Sequence, residues 1–266
     1  MSLVFTAIAP HGTLPESPVA GAEKTHEGLA ELGRRFDAAA PETTIVLTPH
    51  NVHVEGHFAV VLAGTLSGSL AEFDVPEVTL SCPVDVELAT EAIVALHDEG
   101  LPVVGASFGA NDPGAATAPM DWGVLIPLWV MGGRSEPPVP AVVVSPARDR
   151  PLEEHVRAGQ ALAKAAAASP KRIALIASAD HGHAHDPAGP YGFDPAAAAY
   201  DEIIVRLVQE DRLSGLLALD PALRGGGKGR QLVAARDAPR SAWRRLARRF
   251  SLLRSINLFR DALCRL

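Results

Sequence analysis

Residues 173–185 read IALIASADHGHAH. Ile173–Ser178 is a short apolar run, and the residues after it are small, acidic or imidazole-bearing. A run of this length bounded by turn-forming residues reads as a buried strand that ends in a loop. The layout occurs twice more. Leu3–Ala9 leads into Pro10-His11-Gly12, and Thr44–Thr48 leads into Pro49-His50-Asn51. Phe58–Ala63, Val103–Ser107 and Ala141–Ser145 are further strand-like runs. Helical patterns lie between several of them, at Thr25–Ala39, Asp85–Asp98 and Leu152–Ala168. Asp194–Gln209 reads as another helix, with Asp194 suited to the N-cap and Pro195 to the first helical position. Buried strands alternating with helices give an α/β fold: a single domain with a central, mostly parallel or mixed sheet flanked by helices.

In open α/β sheets, ligands bind outside the carboxyl ends of the strands. Seven of the ten histidines fall in such loops: His11, His50, His53, His57, His181, His183 and His185. A lone loop histidine is more often solvated or hydrogen-bonded than a ligand. Two distant copies of the same strand–Pro–His layout are harder to dismiss, and they point to a histidine-based metal site. Imidazole suits Fe(II), Zn and Cu, so the ligand type does not name the metal. Two histidines with one carboxylate and open positions would indicate a non-haem Fe(II) oxygenase. His26, His97 and His155 sit in helical patterns among charged residues and read as surface.

Composition sets the outer limits. At 266 residues and 47% hydrophobic, the chain can bury one substantial core. Cys82 and Cys264 lie far apart, suggest no disulfide framework and fit the reducing cytoplasm. The N-terminal MSLVFTAIAPHG has no basic region and too short an apolar run for a signal peptide. Val124–Gly133, the most apolar later stretch, is too short to span a bilayer.

The motifs APHG, TPHN and SADHGHAH together resemble the class III extradiol ring-cleavage dioxygenases, the relatives of the protocatechuate 4,5-dioxygenase catalytic subunit. The resemblance covers about Leu3–Leu223. It implies His11 and His50 as metal ligands, and it aligns the family's late SGDxSH motif with Ser178–His183, making His183 the catalytic histidine. Asp180, His181, His185, Asn51 and Trp122 are then outer-shell or substrate-pocket residues. The segment Asp121–Leu128 resembles the family's DHGxxxPL, with Trp122 where that motif often has His. Fe(II) is the implied cofactor, with Zn or Mn as other metals for such a site. The implied partners are a small aromatic substrate and O2, with no nucleic acid and no membrane, in a homo-oligomer. Opening a catechol ring needs a base that takes a proton and later returns one, which a histidine can do near neutral pH.

The family's third ligand is an acidic residue near the C-terminus, and nothing here matches it. Residues 1–224 carry a net charge of −16, whereas residues 225–266 carry +9, with only Asp237 and Asp261 acidic. The division read from this is a catalytic domain at 1–223 and a basic, atypical tail at 224–266. One reading of the tail is a flexible Gly225–Gly229 linker and a basic amphipathic helix for an anionic membrane or nucleic acid. A second reading fits better. Permitted codons from Arg224 onward, read from the second base of each, spell VEEAKADSLWQLVMLHGALGDGWRAD and then SLFYEASTYFGMLCAA. Both strings resemble the family's usual C-terminus, so the tail reads as a shift of frame near Leu223–Arg224, with the missing carboxylate lying in the unshifted frame. Three functions follow: an extradiol dioxygenase, a Memo-like metal-binding protein of the same fold without ring cleavage, or a Zn-dependent hydrolase.

Overall fold

All six expected strand runs are strands, and all six lie in one sheet. The computed structural model describes residues 2–16, 22–179, 182–188 and 191–219. Asp180, His181, Cys264 and the whole 224–266 tail lie outside the described residues. The strands are β1 (Leu3–Pro10), β2 (Thr43–Leu47), β3 (Phe58–Val61), β4 (Thr65–Leu70), β5 (Val75–Pro83), β6 (Val103–Ala106), β7 (Thr117–Pro119), β8 (Ala141–Ser145) and β9 (Ile173–Ala179). The helices are α1 (Glu23–Ala39), α2 (Val86–Asp98), α3 (Trp122–Val130), α4 (Leu152–Ala168) and α5 (Pro195–Gln209). By contacts the chain divides into two compact units. The first comprises Met1–His11 and Leu29–Ala179, and the second Gly12–Gly28 and Asp180–Leu266.

In the first unit the large sheet has the order β1-β9-β2-β8-β3-β6. The four strands β1, β9, β2 and β8 are mutually parallel, whereas β3 pairs antiparallel to β8 and parallel to β6. The sheet is therefore mixed. Every residue of β3 and β8 is buried, which is why they read as unbroken apolar runs rather than alternating ones. The parallel block gives β1, β2, β8 and β9 a common carboxyl edge. At the opposite edge, just before β9, Lys171 Nζ lies 3.0 Å from both oxygens of Asp85 and 2.9 Å from Glu87. Asp85 also caps α2 by accepting from Leu88 N at 3.1 Å, so this polar cluster ties α2 to the start of β9.

The second sheet, β5-β4-β7, has no counterpart in the sequence reading. Its β4, TLSGSL, looks like a loop because of its serines and glycine. Gly68 is there for space: a Cβ on it would lie 2.0 Å from the Met120 carbonyl oxygen. Helix α3 is likewise unexpected, since Pro127 sits inside it. It is apolar all round and buried from Gly123 to Leu128, as befits a core helix. No helix among the described residues is long and apolar enough to cross a membrane. Cys82 is a buried residue of β5 whose thiol is pushed up to about 11 by desolvation, and it packs as a small apolar group.

Candidate metal centre

The carboxyl edge of the parallel block brings His11 and His50 together. Their strands, β1 and β2, lie on either side of β9 in the sheet. The ring centroids are 5.0 Å apart and the planes nearly perpendicular, at 86°. His11 is 1% exposed, so whatever its ring nitrogens meet must be supplied inside the fold.

Its Nδ1 contact can be traced back to a proline. Pro127 has no N–H, so it cannot make the helical bond to the Gly123 carbonyl four residues earlier. That carbonyl instead accepts the hydroxyl of Ser178, on β9. Having spent its single proton there, the Ser178 oxygen acts as acceptor for His11 Nδ1–H at 2.8 Å. His11 is thereby held as the Nδ1–H tautomer, which puts the ring's lone pair on Nε2. A buried polar outer partner fixing tautomer and ring angle is what a ligating imidazole requires. Ser178→Ala removes this acceptor and strands the Gly123 carbonyl. The expected cost is about 1–3 kcal/mol of unfolding free energy in urea denaturation. An unchanged midpoint would show that the relay carries no load.

His50 is fixed by its loop. Its N–H donates to Thr48 Oγ1 at 3.2 Å, and its carbonyl accepts from Ser145 Oγ at 2.8 Å. The Trp122 ring packs 4.6 Å from the His50 ring, with Phe73 a further edge contact at 5.7 Å from Trp122. Asn51, in the left-handed region at φ 70°, forms a reciprocal clasp with Asp121. Asn51 N–H donates to Asp121 Oδ2 at 2.8 Å, and Asp121 N–H donates to Asn51 Oδ1 at 3.1 Å. Asp121 also caps α3 through Val124 N. Desolvation pushes its carboxyl above the usual range, while the amide bonds of Asn51 and Val124 and the nearby His11 pull the other way. Asp121, Gly123 and Ser178 thus shape the site, although in the sequence they stood out only as members of longer motifs. The hint was the run of Asp then apolar residues with a proline, which is an N-cap followed by a broken helical bond.

The second unit contains His183 and His185. His183 is half-buried, with its ring 4.9 Å from Tyr191. His185 Nε2 lies 2.9 Å from Asp201 Oδ2 on α5. His26, expected on the surface, is half-buried, and its Nε2 lies 2.8 Å from Thr13 Oγ1 in the loop that follows His11. Burial lowers its pKa, with Glu23 and Glu16 acting in the opposite sense. In the first unit His155, also expected to be exposed, packs its ring against Phe58 at 5.2 Å, whereas His97 is exposed as expected. His53 is exposed, and the His57 ring meets the nearby Glu55 carbonyl, its Nδ1 lying 2.8 Å from that oxygen.

The family described as the catalytic LigB subunit of aromatic ring-opening dioxygenase matches residues 6–238 of this chain. The chain belongs to this family. Protein CA_C1420 of Clostridium acetobutylicum is 24% identical over 215 residues, which is 80% of this chain and 45% of that protein. The chain therefore spans about half the length of this curated relative. Among solved structures, uncharacterized protein JW3007 from Escherichia coli K12 matches with 18% identity and a TM-score of 0.45, covering 84% of this chain and 79% of that one.

Two imidazoles at perpendicular rings, one with its tautomer set by a buried hydroxyl, fit two of the three positions of a two-histidine, one-carboxylate face. Among the described residues no group of three His, Cys, Asp or Glu side chains is close enough to hold an ion. The histidine pair is present, and no third side chain of these kinds completes it among the described residues.

Proposed function

We propose that this chain is a non-haem Fe(II)-dependent extradiol dioxygenase that opens a catechol-like aromatic ring with O2. The observation that carries the reading is the His11–His50 pair at the carboxyl edge of the parallel strands, in a chain of the ring-opening dioxygenase family. The chemistry Fe(II) supplies when bound is joint binding of the two catechol oxygens and O2 on its open face. His11 and His50 hold it there through nitrogen. Ser178 and the Gly123 carbonyl keep the His11 ring at its angle, and Trp122, itself against Phe73, packs on the His50 ring. His183 takes the proton-transfer role of the family's late motif. It accepts a catechol proton as the substrate binds and returns one as the ring opens. Both atoms of O2 end in the ring-opened product, so no further reductant is required.

The third ligand, in this proposal, is a carboxylate from the family's C-terminal segment, in the frame that resumes past Leu223–Arg224. The chain with its given tail then binds metal weakly, and the frame-restored chain binds it tightly. The substrate is a small aromatic molecule, the enzyme acts in the cytoplasm, and it assembles as a homo-oligomer.

The experiment is anaerobic reconstitution of both chains with Fe(II), followed by O2 and a panel of catechols. O2 uptake with a yellow ring-fission product in the frame-restored chain is the expected result. Metal binding without turnover in that chain would instead select the second reading, a metal-binding protein without ring cleavage. One observation favours that alternative: an indole, which cannot relay a proton as imidazole does, packs on His50. Hydrolysis of esters or amides with Zn would overturn both. Sequencing the source DNA across Leu223–Arg224 checks the frame independently.

A further inference from the structure

In the second unit one carboxylate grips the loop that carries His183 at two points, one before it and one after it. Asp201 Oδ1 accepts the Gly182 amide at 2.7 Å, and Asp201 Oδ2 faces His185 Nε2 at 2.9 Å. A carboxylate only accepts, so His185 presents Nε2–H to it. The approach is close enough to demand glycine. A Cβ at Gly182 would lie 2.8 Å from both the Ala197 carbonyl oxygen and Asp201 Oδ1, and 2.9 Å from Oδ2. Ala197 and Asp201 stand one turn apart on α5 and make one face of that helix. The loop is closed on itself by backbone bonds, Asp194 N to the Ala184 carbonyl at 2.9 Å and His185 N to the His183 carbonyl at 3.0 Å. Between the two gripped points the His183 ring rests on Tyr191, which forms a small buried cluster with Ala184 and Ala197.

We propose that Asp201 is the positioning residue for the His183 imidazole. It does not touch the reacting atoms. It holds the loop on both sides of His183 through two hydrogen bonds to a charged acceptor, one from the Gly182 amide and one from the His185 imidazole, which are about twice as strong as neutral ones. The ring is thereby kept on Tyr191 in one orientation. The consequence for catalysis rests on His183 being the proton-transfer group; the grip on the loop does not.

The test uses the full chain and two variants, Asp201→Ala and Asp201→Asn. Asparagine keeps an oxygen for the Gly182 amide, and its NH2 donates to His185 Nε2 once that ring takes the Nδ1–H tautomer, so it is the rescue. Amide exchange over residues 182–188 is expected to quicken at least about tenfold in Asp201→Ala and to stay within about threefold of the parent in Asp201→Asn. The His183 ring protons, shifted in NMR spectra by the adjoining Tyr191 ring, are expected to lose that shift in the alanine variant and keep it in the asparagine variant. Unaltered exchange and an unaltered His183 shift in Asp201→Ala would overturn the proposal, and so would equal damage in both variants. In the chain that turns over, Asp201→Ala is expected to lower kcat at least about tenfold with KM little changed. An unaltered kcat beside a loosened loop would overturn the catalytic consequence. If the frame-restored chain opens no ring at all, the proposed function fails, while the exchange and NMR results still decide the positioning claim.

Discussion

His50→Ala is expected to weaken Fe(II) or Co(II) binding at least about a hundredfold, beyond the 10–100-fold that loss of an outer partner typically costs. It should abolish ring opening with it. The magnitude follows from what is left: His11 alone among the described residues, with no group of three acidic, thiol or imidazole side chains at hand. His50 is the better probe of the two because it is half-buried, whereas His11 is 1% exposed and bonded to Ser178. His11→Ala would confound metal loss with the cost of leaving the buried Ser178 oxygen without its donor. Anaerobic Co(II) titration, followed by visible absorption or by quenching of Trp122 4.6 Å from the His50 ring, reads the effect directly. Equal affinity in the parent and the variant would remove His50 from the metal centre.

The second large effect comes from one methyl group. Gly123→Ala places a Cβ 2.7 Å from Thr48 Oγ1, 3.0 Å from His50 Cδ2 and 3.3 Å from Asp121 Oδ1. Alanine is the better helix former by about 1 kcal/mol, which would stabilise an open site. Here overpacking at about 1–3 kcal/mol wins, because the first turn of α3 must draw back from the exit of β2. That movement drags the Asn51–Asp121 clasp and the Gly123 carbonyl on which Ser178 depends. Expected results are a net loss of about 1–2 kcal/mol in urea unfolding and at least about tenfold weaker metal binding. Gly159→Ala is the control. Gly159 lies in α4 with nothing within 4 Å of its added Cβ, so that variant should gain up to about 1 kcal/mol. Opposite signs for the two substitutions would locate the effect at the centre rather than in helix propensity.

What the sequence disclosed and what it withheld follow from the range of the interactions. Strands such as Ala141–Ser145 announce themselves because burial on both faces leaves an apolar run with turns at its ends. Their common edge, and the two histidines delivered to it, then follow from strand polarity. β4 stayed hidden because its glycine answers to the backbone at Met120, a neighbour 52 positions away in the chain. α3 stayed hidden because Pro127 argues against a helix locally, while its tertiary partner Ser178 takes the carbonyl that the proline cannot serve. The Asn51–Asp121 clasp spans a separation of 70 residues and has no periodic signal. His26 and His155 looked solvated from their charged helical neighbours, yet each turns toward a partner off its own helix, Thr13 and Phe58. Asp201 lay in a helix that was anticipated, but only the folded loop reveals which carboxylate meets Gly182 and His185.

The proposed activity makes one demand that no other reading shares: both oxygens of a single O2 enter the product. A single turnover of the frame-restored, Fe(II)-loaded chain with a catechol under 18O2, read by mass spectrometry, measures this directly. The expected product is ring-opened and carries two labelled oxygens, apart from any carbonyl label exchanged with water. A product with label from water alone, or a catechol recovered intact from a chain that binds Fe(II) tightly, would contradict it.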